Sequence, residues 1–366
     1  MHINNRFFKR KLYISLIYIL IFSLYSCIST ANQNNQDDKS LFRFVFLGDS
    51  RGDYKGNPPS YLTEEPLKKI VQQIINLNPK PKFVIFNGDM VAKITYKQAP
   101  EMIKKWQSIF LKPIQDKNIL VYITPGNHVI DQNAVNKDNS IKYIELFRNY
   151  YLADNPMNGP SIYKGVTYSF NYANCHFVTV TSFVTHKGID NTELSPKEFI
   201  QKKKDFEYFI NKENRNWLIK DLKNDNSDFT IFFTHCPFYP VGPHYKDRKS
   251  LHAHPSNRDL IAEILINNNV DAFFASHEHL YARANLSSSN PASSGLNGSL
   301  LQVVVGSASA PLSSKKKRGN MIFDKYIKSF AFLIADVTRD SIKCCAYNEN
   351  GVKIDNFSIV KKQRTQ

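Results

Sequence analysis

Five short apolar runs, each stopped by a tight turn that carries a metal-ligating type of side chain, constrain this 366-residue chain more than any other feature. The clearest is Phe83 to Phe86, which stops at Asn87-Gly88-Asp89. An uninterrupted β-branched and aromatic run fits a strand buried on both faces of a sheet. Glycine beside a carboxylate at its end lets the backbone turn sharply while the acid projects into the crevice above the strands, where open α/β folds place ligands. Leu41 to Leu47 stops in the same way at Gly48-Asp49-Ser50-Arg51, and Ile119 to Ile123 is followed by Pro125-Gly126-Asn127-His128. Phe229 to Phe233 stops at Thr234-His235, and Val270 to Ala275 at Ser276-His277-Glu278-His279. One such ending is an ordinary turn, and one histidine is usually structural. Five together bring two aspartates, one asparagine and four histidines to one edge, which packing does not explain.

The residue types say what that edge can hold. Carboxylate, amide oxygen and imidazole suit Zn, Mn or Fe, and no thiolate-rich set points to a closed structural zinc site. Seven such groups exceed the needs of one tetrahedral ion. They suit two metals about 3.5 to 4 Å apart with a carboxylate between them, as in two-metal hydrolases.

The ordered series GDSRG (48–52), NGDMV (87–91), GNH (126–128), THCPFYP (234–240) and SHEH (276–279) resembles the calcineurin-like metallophosphoesterases. YSFNYANCHFVTVTS (168–182), NWLIKDL (216–222), VDAFFASHEHLYAR (270–283) and VVVGSASAPL (303–312) resemble their purple-acid-phosphatase-like branch. The resemblance runs from about Leu41 to the last strands. It implies a metal-dependent phosphoesterase that hydrolyses phosphomonoesters or phosphodiesters with a hydroxide held between two metal ions (Fe, Mn or Zn). It also implies that Asp49 and His279 hold the first metal, that Asn127, His235 and His277 hold the second, and that Asp89 bridges. His128 would protonate the leaving group or stabilise charge on the phosphoryl oxygens.

Two positions depart from the family. Where most members have a histidine ligand two residues after the first aspartate, this chain has Arg51, which has no lone pair to give. Purple acid phosphatases compensate with a metal-bound tyrosine three residues after the bridging aspartate, and here that residue is Ala92. The tyrosine-to-iron bond and its colour are therefore not expected, and the first metal has few evident ligands. Arg51 is read instead as a catalytic-site clamp on phosphate, because a guanidinium matches phosphate oxygens bidentately; a salt bridge that holds the loop is the alternative. His244, His252 and His254 follow THCPFYP in a loop that can approach the cleft. Each taken singly reads as a surface residue, with one of them a possible phosphoryl contact.

Helical periodicity separates the strands. Leu67, Ile70, Val71, Ile74 and Ile75 follow Pro66, a first-turn residue; Met102, Ile103, Trp106, Ile109 and Phe110 give a second helix, and Leu260, Ile261, Ile264 and Leu265 a third. Strand–helix–strand order implies parallel pairing. Tyr168 to Phe183 and Leu301 to Val305 read as strands of another sheet. The expected fold is α/β: two mixed β-sheets packed face to face with helices outside, a four-layer α/β/β/α sandwich. Its ligands are scattered from Asp49 to His279, so residues 41–361 form one domain. Asn155 to Gly165 and Asn285 to Ser299 read as surface loops near the cleft, where loops set substrate choice.

Arg6, Lys9, Arg10 and Lys11 precede the apolar Leu12 to Leu24, which has the shape of a signal peptide over residues 1–26. Leu24-Tyr25-Ser26-Cys27 resembles a bacterial lipoprotein cleavage site, with Cys27 lipidated and the polar residues up to Ser40 a flexible tether. An uncleaved anchor or ordinary secretion remain alternatives. In each case the domain lies outside the cytoplasm, and lipidation would hold it to a membrane in the periplasm or at the outer membrane.

Removing the four basic residues before Cys27 lowers the formal charge of +16 to +12. A positive surface favours anionic partners: phosphate esters, lipid headgroups or nucleic acid. Reading bases would need an aromatic-lined groove that the sequence does not place, so nucleic acid is not the expected partner. Cys175 and Cys236 lie in apolar strand surroundings, and the adjacent Cys344 and Cys345 would face opposite sides of a strand, so no disulfide is expected. Two other function classes stay open: a degenerate binding lipoprotein on the same fold, and an extracytoplasmic nuclease or phospholipid hydrolase. The oligomeric state is not readable.

Overall fold

The computed structural model describes residues 40–53, 55–92, 99–128, 137–151, 154–182, 208–245, 250–313 and 319–362. The expected signal peptide, Cys27, all of the tether but Ser40, and the basic runs Lys202 to Lys204 and Lys315 to Arg318 lie outside the described residues. Among the described residues, no helix is long and apolar enough to cross a membrane.

Two mixed sheets carry the fold. The first has six strands. β1 (Phe42–Leu47), β2 (Phe83–Asn87) and β3 (Leu120–Thr124) pair in parallel, and the antiparallel β11 (Phe332–Val337), β12 (Ser341–Tyr347) and β13 (Lys353–Val360) extend it beyond β1. The second has seven strands. At its centre β5 (Cys175–Thr179), β6 (Phe229–Phe233), β7 (Ala272–Ala275) and β9 (Ser299–Val305) run parallel. β4 (Tyr168–Tyr172) closes one side as a hairpin with β5, and β8 (Tyr281–Ser287) and β10 (Lys325–Ile327) close the other.

The apolar runs are continuous because alternate residues enter different layers. Phe44 and Phe46 of β1, Phe83 and Ile85 of β2, Phe229, Ile231 and Phe233 of β6, and Ala272 and Phe274 of β7 share one core between the sheets. Val45, Leu47, Val84 and Phe86 point the other way, into a core beneath the helices that cover the first sheet. Phe232, Phe273 and Ala275 do the same on the second. Three cores between four layers are the expected α/β/β/α sandwich, with period-2 side chains filling each gap. The middle gap is mostly aromatic: Phe44 and Phe83 meet Phe177 edge-on at 5.2 and 5.1 Å, and Phe46 meets Phe274 at 5.2 Å.

On the first sheet lie α1 (Glu64–Ile75), α2 (Ala99–Trp106) continued by a π-helical turn (Gln107–Leu111) and α3 (Lys112–Gln115), and α4 (Lys137–Tyr150). Leu67, Ile70, Val71 and Ile74 are buried as the periodicity predicts, as are Ile103, Trp106 and Phe110. On the second lie α5 (Lys212–Lys223), capped by the Asn211 side chain on Asn214 N–H, and α6 (Pro255–Asn267). In α6 the buried stripe is rotated from the expected one. Asn257, Arg258, Ile261, Ala262 and Leu265 are inside and Leu260 is 43 % exposed, because Asn257 pairs with the Ile210 backbone and Arg258 with His252.

Of the two loops expected near the cleft, one lies elsewhere and the other is tied to the edge of β3. Asn285 to Ser287 belong to β8, and the loop of residues 288–298 lies at the opposite end of the sheet from the ligand turns, since β8 leads away from His279. Asp154 and Asn155 accept hydrogen bonds from Val121 N and Ile123 N at 2.7 and 2.8 Å, covering the free edge of β3 with side chains that mimic a strand. Cys175, Cys236, Cys344 and Cys345 are all free thiols, as expected.

Phe83 touches six aromatic rings in the middle core. Phe83→Ala should cost about 3 to 5 kcal/mol, read as a lower urea midpoint with an unchanged slope. A loss below about 1 kcal/mol would mean that the middle core is not the stabilising layer.

Candidate metal centre

The C-terminal ends of β1, β2, β3, β6 and β7 open to the same side, so turns from both sheets converge there. Asp49, Asp89, Asn127, His128, His235, His277 and His279 are all buried, each less than a tenth exposed. Every sequence-predicted site residue is brought to this one place, Arg51 included. The backbone shows why turns were needed. Asp49, Asp89, His277 and His279 adopt φ of +59°, +51°, +73° and +51°, the left-handed region that non-glycine residues rarely visit. Each such residue costs on the order of 1 to 3 kcal/mol and persists only where its surroundings over-determine it.

Hydrogen bonds supply that constraint. Asp49 O accepts from Ser309 N and Ala310 N at 3.0 and 2.9 Å, and Asp89 O accepts from Ser50 N and Arg51 N at 3.0 and 3.1 Å. Asp49 Oδ2 accepts from His277 N at 2.8 Å, and Asp89 Oδ1 from His128 N at 2.9 Å. The turn glycines answer a separate need, close approach: a Cβ on Gly126 would overlap Asp89 Oδ1, and one on Gly88 would overlap His235 Nδ1.

Two clusters of donors form, each with its ligand atoms within 4.8 Å of one another: Asp49, Asp89 and His279, and Asp89, His235 and His277. Asp89 belongs to both. Asn127 Oδ1 lies 3.2 Å from His235 Nε2 and joins the second. The outer ring nitrogens are tied: His235 Nδ1 lies 2.8 Å from Asn87 O and His279 Nδ1 2.9 Å from Pro311 O. Backbone carbonyls only accept, so both Nδ1 atoms carry a proton and both Nε2 atoms face the centre. Asp49 Oδ1 is buried without a hydrogen-bond partner, 3.5 Å from His279 Nε2 and 3.9 Å from His235 Nε2. An orphaned carboxylate oxygen among imidazole nitrogens fits a cation.

The electrostatics agree. Burial opposes charge on Asp89, yet His235, His128 and Arg51 around it hold its carboxyl well below the usual range. Burial likewise opposes charge on His235, but the Asp89 and Asp49 carboxylates win and push its pKa up to about 9. His128 goes the other way: burial outweighs Asp89 and lowers it to about 3. Without metal, the protein uses a proton on His235 as the counter-ion to its aspartates.

A family model, calcineurin-like phosphoesterase, matches residues 42–281. The chain belongs to the calcineurin-like phosphoesterases. Membership places it among phosphoric ester hydrolases, and no curated protein matches its sequence. In fold, this phosphoesterase is similar to purple acid phosphatase PPD1 from yellow lupin, Lupinus luteus (TM-score 0.60, 17 % identity over 88 % of this chain and 54 % of that one). It is similar also to PhoD (TM-score 0.61, 12 % identity, 88 % of this chain and 73 % of that one). A third neighbour is GAP50, the anchor in the inner membrane complex of Plasmodium (TM-score 0.55, 15 % identity, 89 % and 90 %). The phosphoesterase spans about half the length of the lupin enzyme.

The departures from the family pattern now have places. Arg51 Nε lies 3.7 Å from Asp89 Oδ2 and has no hydrogen-bond partner, while Nη1 donates to Gly52 O at 3.2 Å. Ala92 is buried, without exposed surface. Of the three loop histidines expected at the surface, His254 is buried and His244 and His252 are half-buried. The His244 ring stacks on that of His277 at 4.0 Å, His252 hydrogen-bonds with Arg258 at 2.7 Å, and His254 is 7 % exposed. Sequence reasoning also passed over Asn87. Its amide donates to Thr234 O at 2.9 Å and Ser276 Oγ at 3.2 Å, and its Oδ1 accepts from Thr124 Oγ1 at 2.7 Å. Its position directly before Gly88-Asp89 was the signal available.

A metal on His235 Nε2 must displace that proton. Uptake of Zn or Mn by metal-free protein at pH 7 should therefore release protons, and affinity should rise as pH increases toward about 9. Calorimetry in two buffers of different ionisation heat checks this; a buffer-independent heat would mean that His235 is already neutral.

Proposed function

We propose that the protein is a metal-dependent phosphoesterase, acting on phosphomonoesters or phosphodiesters outside the cytoplasm and held to a membrane through lipidated Cys27. The observation that carries the catalytic part is the pair of donor clusters sharing Asp89. Asp49 and His279 would hold one metal, Asn127, His235 and His277 the other, with Asp89 between them. The bound pair would supply Lewis acidity toward phosphoryl oxygens and make a water acidic enough to attack phosphorus near neutral pH. The donor set suits Fe, Mn or Zn.

The chain's own residues do the rest. Asn87 O and Pro311 O keep His235 and His279 in the tautomer that offers Nε2 inward. His128, depressed to about 3, is a neutral ring at pH 7; it therefore stabilises developing charge through a ring N–H rather than delivering a proton from an imidazolium. Arg51, whose Nε has no hydrogen-bond partner, would donate to a phosphate oxygen. His244, stacked on His277, would line the same mouth. The hydrophobic run before Cys27, with its preceding basic residues, supports export.

A second reading of Arg51 has its own observation, the 3.7 Å approach to Asp89, which would make it an electrostatic brace for the bridging carboxylate. Arg51→Ala separates the two. A clamp predicts a KM for p-nitrophenyl phosphate raised about tenfold with metal content kept; a brace predicts unchanged KM with metal or kcat lost.

The reading as a whole is tested on protein from Cys27 onward by metal content and p-nitrophenyl phosphate turnover, for wild type and Asp89→Asn. Two metals per chain and turnover that falls by at least about 100-fold in the variant are expected. No turnover with Mn, Zn, Fe or Mg added would favour the binding-lipoprotein reading.

A further inference from the structure

Glu278 stands between two of the donor histidines, yet its side chain serves a different element. It is fully buried, and its Oε2 accepts a hydrogen bond from Gly242 N. The fit is close: a Cβ on Gly242 would come within 2.5 Å of Glu278 Oε2. Gly242 opens the turn Pro243–Tyr245, closed by Tyr245 N donating to Gly242 O at 3.5 Å. That turn carries His244, whose ring lies parallel to that of His277 at 4.0 Å and 25°. The carboxylate of Glu278 therefore ties the His244 turn to the very residues whose neighbours it must face.

A second hold fixes the start of the same segment. Gln302, buried on β9, accepts from Phe238 N and Tyr239 N at 3.0 and 3.1 Å and donates to Tyr239 O at 3.0 Å. Between residue 239 and the turn, the Glu278 contact is the side-chain tie that reaches Gly242. A hydrogen bond from a backbone N–H to a carboxyl oxygen in a dry site is strong and directional, so it sets how far the turn stands from the centre.

We propose that Glu278 is a positioning residue for the substrate side of the centre: it sets the height of the Gly242–Tyr245 turn and so holds His244 where a phosphate ester bound at the centre meets it. This rests on the phosphoesterase reading above. It assigns the acid of SHEH to substrate placement and leaves metal binding to the histidines on either side of it. Glutamine in its place keeps an acceptor for Gly242 N–H, whereas alanine removes it.

The test compares Glu278→Ala, Glu278→Gln, His244→Ala and the Glu278→Ala/His244→Ala double variant in the chain from Cys27 onward. Three readouts are taken: hydrogen–deuterium exchange of peptides covering 238–245, metals per chain by mass spectrometry, and KM and kcat for p-nitrophenyl phosphate. Glu278→Ala should speed exchange of that segment and raise KM, each by about tenfold, with metal content unchanged and Glu278→Gln close to wild type. The double variant should be no worse than His244→Ala alone, since the two residues act as one unit. Unchanged exchange, additive losses, or metal lost from Glu278→Ala would each overturn the proposal, the last by placing Glu278 with the ligands. Absence of turnover in wild type would fail the phosphoesterase reading instead, while exchange would still decide whether Glu278 holds the turn.

Discussion

Asn87 joins the two sheets at the point where their chemistry meets. Four strand ends converge on this one buried residue: its own, that of β3 through Thr124, that of β6 through Thr234 and His235, and that of β7 through Ser276. Each bond contributes about 1 kcal/mol net, but leaving any of these buried groups unpaired would cost more, so the set is mutually enforcing. The rest of the centre inherits its position from this junction, because Asp89 follows two residues later and His235 is held by the Asn87 carbonyl.

The aromatic core between the sheets makes that junction possible. Rings from β1 and β2 meet rings from β5 and β7 edge-on, which fixes the separation of the layers. Were the gap wider, Asn87 could not reach Thr234. The same spacing lets the Gly306–Pro311 stretch after β9 touch the turn after β1, where Ala308, Ser309 and Ala310 bind the backbone of Gly48 and Asp49 and Pro311 orients His279. Four ligand-type residues in left-handed backbone are tolerated because this packing leaves them no alternative. Stability is spent in the cores and strain is stored at the centre. A buried Asp89 held low by His235, beside an Asp49 oxygen without a hydrogen-bond partner, suits a cation.

Arg51 and Ala92 alter the balance of that site without removing it. The cluster of Asp49, Asp89 and His279 still closes to within 4.8 Å, and a guanidinium now stands beside it where most of the family has a ligand. A permanent positive charge there would weaken the first cluster for a cation and favour an anion beside it, so the two effects would pull in opposite directions.

The sequence by itself determined the layers and the edge that the candidate donors share. Phe83 to Phe86 and Phe229 to Phe233 had to be strands buried on both faces because no residue in them tolerates water. Aspartate, asparagine and histidine after sharp turns had to share one edge because parallel strands point the same way. Tertiary structure alone decided which side chains pair. Nothing local marked Leu260 as outward, since the partner that draws Asn257 inward, the backbone of Ile210, lies on a distant segment. The loop of residues 288–298 fell at the far end because β8 runs antiparallel to β9, a direction that composition does not encode. His244 reached His277, and Glu278 reached Gly242, through contacts between segments more than thirty residues apart. Local periodicity reports which face is buried; it carries no information about what lies across the gap.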